Sequence, residues 1–193
     1  MNRARLEAFS DGVIAILITI MVLELKVPKG QEWADVAPVL PVFSAYVLSF
    51  IFIGIYWNNH HHMLHLATEV TGRVLWANLH LLFWLSLVPF TTGWMGQSHL
   101  APIPTAVYGV VLLLAGVGYL LLQTAIIATQ GPGSKLKAAV GRDVKGKASA
   151  ILYTLGVLAS FVNPFISAGL YVAVALMWLV PDRRIEASVG KRA

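Results

Sequence analysis

Apolar residues in this chain gather into runs too long for the half-buried, alternating faces of a soluble protein. Six runs stand out, at about residues 9–27, 39–59, 74–92, 104–129, 148–162 and 165–180. A membrane-crossing helix needs about 20 predominantly apolar residues, so the pattern predicts six transmembrane helices in a single domain, 1–193. Each break has a local cause. Pro28, Lys29 and Gly30 end the first run, a turn from Ala101 to Pro104 precedes the fourth, and Gly131, Pro132 and Gly133 stop it, because Gly and Pro are the strongest punctuators of helical structure. Asn163 and Pro164 alone separate the last two runs, which predicts a tight antiparallel hairpin.

Composition agrees with that solvent. Hydrophobic residues make up 58% of the chain and charged ones only 12%, which places it with integral membrane proteins. Arg3 and Arg5 precede the first run as they would in a cleaved leader. That run nevertheless contains Asp11, exceeds a usual leader core and lacks a small-x-small cleavage site before Pro28, so it is read as a retained helix. The absence of cysteine excludes disulfides, thiol catalysis and thiolate metal sites.

Charge then orients the spans. With the N-terminus in the cytoplasm, Arg3, Arg5, Arg73, Lys135, Lys137, Arg142, Lys145, Lys147, Arg183, Arg184, Lys191 and Arg192 fall inside, and only Lys26 and Lys29 outside. The asymmetry predicts both termini cytoplasmic. Trp33 and Trp94 then sit near the outer interface, and Trp57, Trp76 and Trp178 near the inner one. The basic residues lie between spans without interleaved stacking aromatics, which argues against a nucleic-acid partner. Their concentration from Lys135 to Lys147 predicts contact with anionic lipids.

Asp11 is the feature that needs an explanation. An ionisable group at membrane depth is costly and rare unless it faces protein, a water cavity or an ion path. Five residues separate Asp11 from Ile16, about 140° around a helix at 100° per residue. Ile16, Thr19, Ile20 and Leu23 instead share an arc of about 100° and climb about 10 Å along the axis. One face thus stacks branched apolar side chains with a single hydroxyl, and another carries Ser10 and Asp11, whose polar atoms need partners inside a bundle. Candidate partners are Arg5, His61, His62 and His65, and Trp76, Asn78 and His80 at the start of the third run.

The stretch Arg5, Phe9, Ser10, Asp11 (RxxxFSD), with YWNNHHHML at 56–64, WANLHLLF at 76–83 and the later PFTT, resembles the transmembrane protein 175 family of endolysosomal potassium channels, and more closely its single-repeat bacterial homologues. The resemblance covers the whole chain and implies an all-α fold of six spans, assembled as a homotetramer whose first helices line a central pore. It implies a potassium channel, modestly selective over sodium, in a bacterial plasma membrane. Ile16 is then the apolar constriction, with Ile20 and Leu23 further along the pore and Thr19 as a hydroxyl layer for selectivity. Arg5, Phe9, Ser10, Asp11, His61, His65, Trp76 and Asn78 brace the pore helix. No enzymatic activity or cofactor is implied beyond the permeant potassium ion. No TVGYG-like carbonyl filter occurs in the chain, which leaves a hydrophobic gate that opens and closes by wetting.

Other readings stay open on the residues alone. Asp11 could cap the helix start. His61 and His65, four apart, with His80, could ligate a metal or haem, or could hydrogen-bond at the interface. Glu24 could form a cation-attracting ring at the pore mouth or pair with Lys26 or Lys29. Asp11 and the histidines could relay protons in a proton-coupled transporter or leak. Gly109, Gly116 and Gly118 suggest close helix approach.

Overall fold

The computed structural model describes residues 2–141 and 143–179. Arg142, Arg183, Arg184, Lys191 and Arg192, used above for orientation, lie outside the described residues.

Local chemistry starts and stops each helix. Helix α1 runs Arg3–Ile20, capped by Asn2, whose side chain accepts the Ala4 N–H, and tightens into a 3₁₀ turn over Met21–Glu24. Helix α2, Leu40–His65, carries Pro41 in its first turn, where the missing N–H costs no internal bond. Thr71 caps α3, Gly72–Ser86. The chain breaks at Leu87 before α4, Val88–Gln97, because Pro89 cannot donate to the preceding turn. Helix α5, Pro102–Gln130, spans 29 residues and ends where Gly131 takes φ 65°. A short α6, Lys135–Val140, leads to α7, Val144–Ala159, capped by Asp143. Asn163 then accepts the Phe165 N–H at the entry to α8, Pro164–Leu179.

Long α5 is the hub of the bundle. It packs against α3 on one side and α7 on another, α7 and α8 form a hairpin beside it, and α4 lies on α2 and α5. Helix α1 closes the other side against α2 and α3. Close approach is bought by small residues: a Cβ on Gly118 would sit 3.0 Å from the Leu81 Cα, so α5 and α3 meet backbone to backbone. Gly109 and Gly156 together seat the ring of Tyr171, whose hydroxyl donates to the Thr105 carbonyl at 3.2 Å. Thr92 donates to Ser49 at 2.7 Å, and Ser49 shares a 2.9 Å bond with Tyr108, tying α4, α2 and α5 through buried hydroxyls.

The expectation of six spans is corrected to four. Among the described residues, Arg3–Glu24, Trp33–His65, Gly72–Gln97 and Pro102–Gly133 are long and apolar enough to cross a bilayer, the third of them through the broken pair α3 and α4. Among the described residues, helices α7 and α8 have 16 residues each. At 1.5 Å per residue that is about 24 Å, short of the roughly 30 Å hydrocarbon core. The two pack together as a hairpin across Asn163 and Pro164, and within the described residues neither reaches spanning length.

Several bonds fix which helix ends lie together. Arg3 Nη1 donates to the His65 carbonyl at 3.0 Å, Gln130 donates to the Leu66 carbonyl and Tyr119 to the Asn59 carbonyl. The start of α1 and the ends of α2 and α5 therefore share one end of the bundle, from which the lysine-bearing α6 follows directly.

Candidate pore helix and its anchoring network

Helix α1 has two apolar faces of different fate. Leu6, Ser10, Ile14, Leu17 and Met21 are buried against the bundle. Ile16, Ile20 and Leu23 are 59%, 40% and 77% exposed, and Thr19 is exposed between them. The arc computed from helical geometry is thus the arc that its own chain leaves uncovered. Thr19 Oγ1 donates to the Ile16 carbonyl at 2.9 Å. A hydroxyl that spends its proton on its own helix presents only lone pairs outward, the polarity a cation prefers.

The opposite face is held by polar contacts with a regular register. Arg3 reaches the His65 carbonyl, Glu7 Oε1 lies 2.8 Å from His61 Nδ1, and Asp11 Oδ1 accepts the Trp57 indole N–H at 3.1 Å. Steps of four residues on α1 match steps of four on the antiparallel α2, because both stripes repeat about once per turn. The ring of His61 also stacks between those of Trp57 and His65.

A second, buried network joins α1 to α3 and α2. Ser10 Oγ donates to the Leu6 carbonyl at 2.9 Å and accepts from Asn78 Nδ2 at 3.0 Å. Asn78 Oδ1 faces His60 Nε2 at 2.8 Å. A carbonyl oxygen only accepts, so Nε2 is the protonated ring nitrogen. His60 Nδ1 is buried with no hydrogen-bond partner among the described residues. Ser10, Asn78 and His60 are each fully buried, so the chain of bonds satisfies atoms that could not otherwise leave water.

Of the expected bracing residues, the structure brings together Ser10, Asp11, His61, His65 and Asn78. Phe9 and Trp76 are exposed, at 50% and 75%, and Arg5 is exposed beside them on the side of Ile16, outside both networks. Glu7 and Trp57 join the networks without having been singled out as partners, and their four-residue spacing from Asp11 and His61 was the available signal; His60 joins through Asn78. Asp11 is half-buried within the helix, eight residues past the start of α1, while Asn2 makes the cap. Glu24 turns back over Gly93 and accepts from Gln97 at 3.1 Å. Among the described residues no group of three or more His, Asp or Glu is placed to hold a metal ion. His80 accepts from its own neighbour Trp84 at 3.2 Å.

Comparison with known proteins places this arrangement. The family described as "Endosomal/lysosomal potassium channel TMEM175" matches residues 5–89, which contain most of α1, all of α2 and α3, and the start of α4. A potassium channel of Chryseobacterium sp. (strain P1-3) is 55% identical over 189 residues, 98% of each chain. A potassium channel of Streptomyces collinus (strain DSM 40733 / Tue 365) is 30% identical over 190 residues, 92% of each chain. The crystal structure of a lysosomal potassium-selective channel TMEM175 homolog from Chamaesiphon minutus superposes with a TM-score of 0.80 at 26% identity, covering 93% of this chain and 97% of that one.

Proposed function

This chain belongs to the TMEM175 potassium-channel family, and from that premise we propose that it conducts potassium through a path lined by the uncovered face of α1. It is a multi-pass membrane protein of a channel family and not an enzyme, and its full-length relatives are bacterial, in keeping with a bacterial plasma membrane.

The observation that carries the proposal is the sorting of α1: polar anchors on one side, and Ile16, Thr19, Ile20 and Leu23 uncovered on the other. One such face cannot enclose a path. Closed cyclic symmetry supplies the missing walls, and we assign four copies. Ile16 then makes the narrowest ring, which excludes ions by dewetting when closed. Three residues on, the Thr19 oxygens replace part of the hydration shell of a passing ion. Potassium sheds water more easily than sodium, so an apolar ring without a carbonyl filter favours potassium modestly. Asp11 acts as an anchor for the helix and does not touch the ion.

A proton-coupled carrier using Asp11 and the histidines is the competing reading. It is the weaker one, because Asp11 is engaged by Trp57 and Glu7 by His61 on the side of α1 turned from the uncovered face. Reconstituted vesicles separate the two. A channel gives ohmic potassium flux without a coupled gradient, and Ile16→Asn raises it by wetting the ring. Saturating flux that requires a proton gradient, or a conductance unmoved by Ile16→Asn, rejects the proposal.

A further inference from the structure

Between α2, α5 and the segment from α6 into α7 lies a cavity of about 420 Å³, within the size range of sites that hold small ligands. Its depth is apolar, built by Phe52, Leu113, Val117 and Tyr153. Gly116 opens the wall, since a Cβ there would meet only the Tyr56 hydroxyl, at 3.8 Å. Lys137 and Lys147 stand at the rim. Asp143 is also there, but its carboxylate caps α7 by accepting the Gly146 N–H at 3.1 Å.

One polar side chain inside this cavity lacks a purpose in the fold. Gln123, on α5, is 7% exposed and lines the space, and no hydrogen bond from a described residue reaches its amide. Three lining hydroxyls are engaged elsewhere: Tyr56 donates to the Leu112 carbonyl, Tyr119 to the Asn59 carbonyl and Ser149 to the Lys145 carbonyl. The amide opens onto the cavity and not onto a protein partner, so its hydrogen-bonding capacity is available to whatever fills the space.

A mostly apolar chamber, the Gln123 amide opening into it and two ammonium groups at its mouth describe the shape of an amphiphile with an anionic head. We propose that the cavity is a binding site for one anionic phospholipid. An acyl chain fills the space between α2 and α5, Gln123 hydrogen-bonds an ester oxygen, and the phosphate sits between Lys137 and Lys147. The lysines belong to the basic end of the bundle, where a phosphate headgroup lies beside the hydrocarbon that receives its chains. The site is independent of how α1 is used.

Native mass spectrometry of the purified full-length protein, offered phosphatidylglycerol and phosphatidylcholine with identical acyl chains, tests this. One phosphatidylglycerol per chain is expected to be retained in preference to phosphatidylcholine, with the preference falling about five-fold for each lysine removed in Lys137→Gln and Lys147→Gln. Gly116→Leu occupies the chamber and abolishes retention, provided gel filtration shows the variant folded. Gln123→Leu leaves the chamber open and weakens retention, so it serves if Gly116→Leu does not fold. Equal retention of the two lipids, or retention unchanged in the lysine variants and in Gln123→Leu, overturns the proposal. Displacement of phosphatidylglycerol by millimolar inorganic phosphate also overturns it, by assigning the site to a free anion.

Discussion

Asn78 is the residue on which the buried network turns, because it gives a hydrogen to Ser10 and takes one from His60. Asn78→Ala leaves the His60 Nε2–H without an acceptor, while Ser10 keeps its bond to the Leu6 carbonyl, and leaving one buried polar group unsatisfied costs about 1–3 kcal/mol. Trp57→Phe removes only the bond to a half-buried Asp11, in the range of about 0.5–1.5 kcal/mol for one hydrogen bond. Thermal melting in detergent should therefore rank Asn78→Ala well below Trp57→Phe, and the reverse order would place the main anchor of α1 in the α2 ladder. Thr19→Val keeps the shape of the side chain and deletes its oxygen. Reversal potentials in opposed potassium and sodium gradients should move toward parity in that variant, and an unchanged ratio removes Thr19 from selectivity.

Elements meet through small residues, and this makes glycine positions unequal. Leucine at Gly118 must push α5 off the Leu81 backbone, an overpacking cost of about 1–3 kcal/mol. A Cβ at Gly169 in α8 meets nothing within 4 Å, so leucine there replaces a poor helix former with a good one, a gain of up to about 1 kcal/mol. Melting temperatures should move in opposite directions. If both variants melt alike, the α3 and α5 contact is looser than backbone to backbone. The same comparison separates the glycines of α5, which looked equivalent in sequence: Gly118 permits contact, Gly109 seats Tyr171, and Gly116 opens onto the cavity.

The whole molecule is where the α1 face acquires a use. The chain has no cysteine, so a single introduced thiol reports proximity without background. Leu23→Cys should form oxidant-dependent dimers in membranes if α1 faces its copies. Leu158→Cys, on α7 and 61% exposed against 77% for Leu23, provides the comparison and should stay monomeric on a denaturing gel. Native mass should give four times the 21.0 kDa chain. Cross-linking at Leu158 with none at Leu23 would turn α1 toward lipid.

Much of this was written in the order of residues. The arc of Ile16, Thr19, Ile20 and Leu23, its separation from Asp11 and the breaks at Gly131 and Pro164 follow from the turn of one helix and from backbone restrictions, and both depend only on near neighbours along the chain. Tertiary structure decided the rest. It paired Asp11 with Trp57 and Glu7 with His61, left Arg5, Phe9 and Trp76 outside the networks, and enclosed a cavity under Gly116. Hydropathy alone made six spans, whereas continuous helix length makes four among the described residues. Register between two helices, and which polar groups meet across it, depend on packing across the bundle, which no local pattern carries.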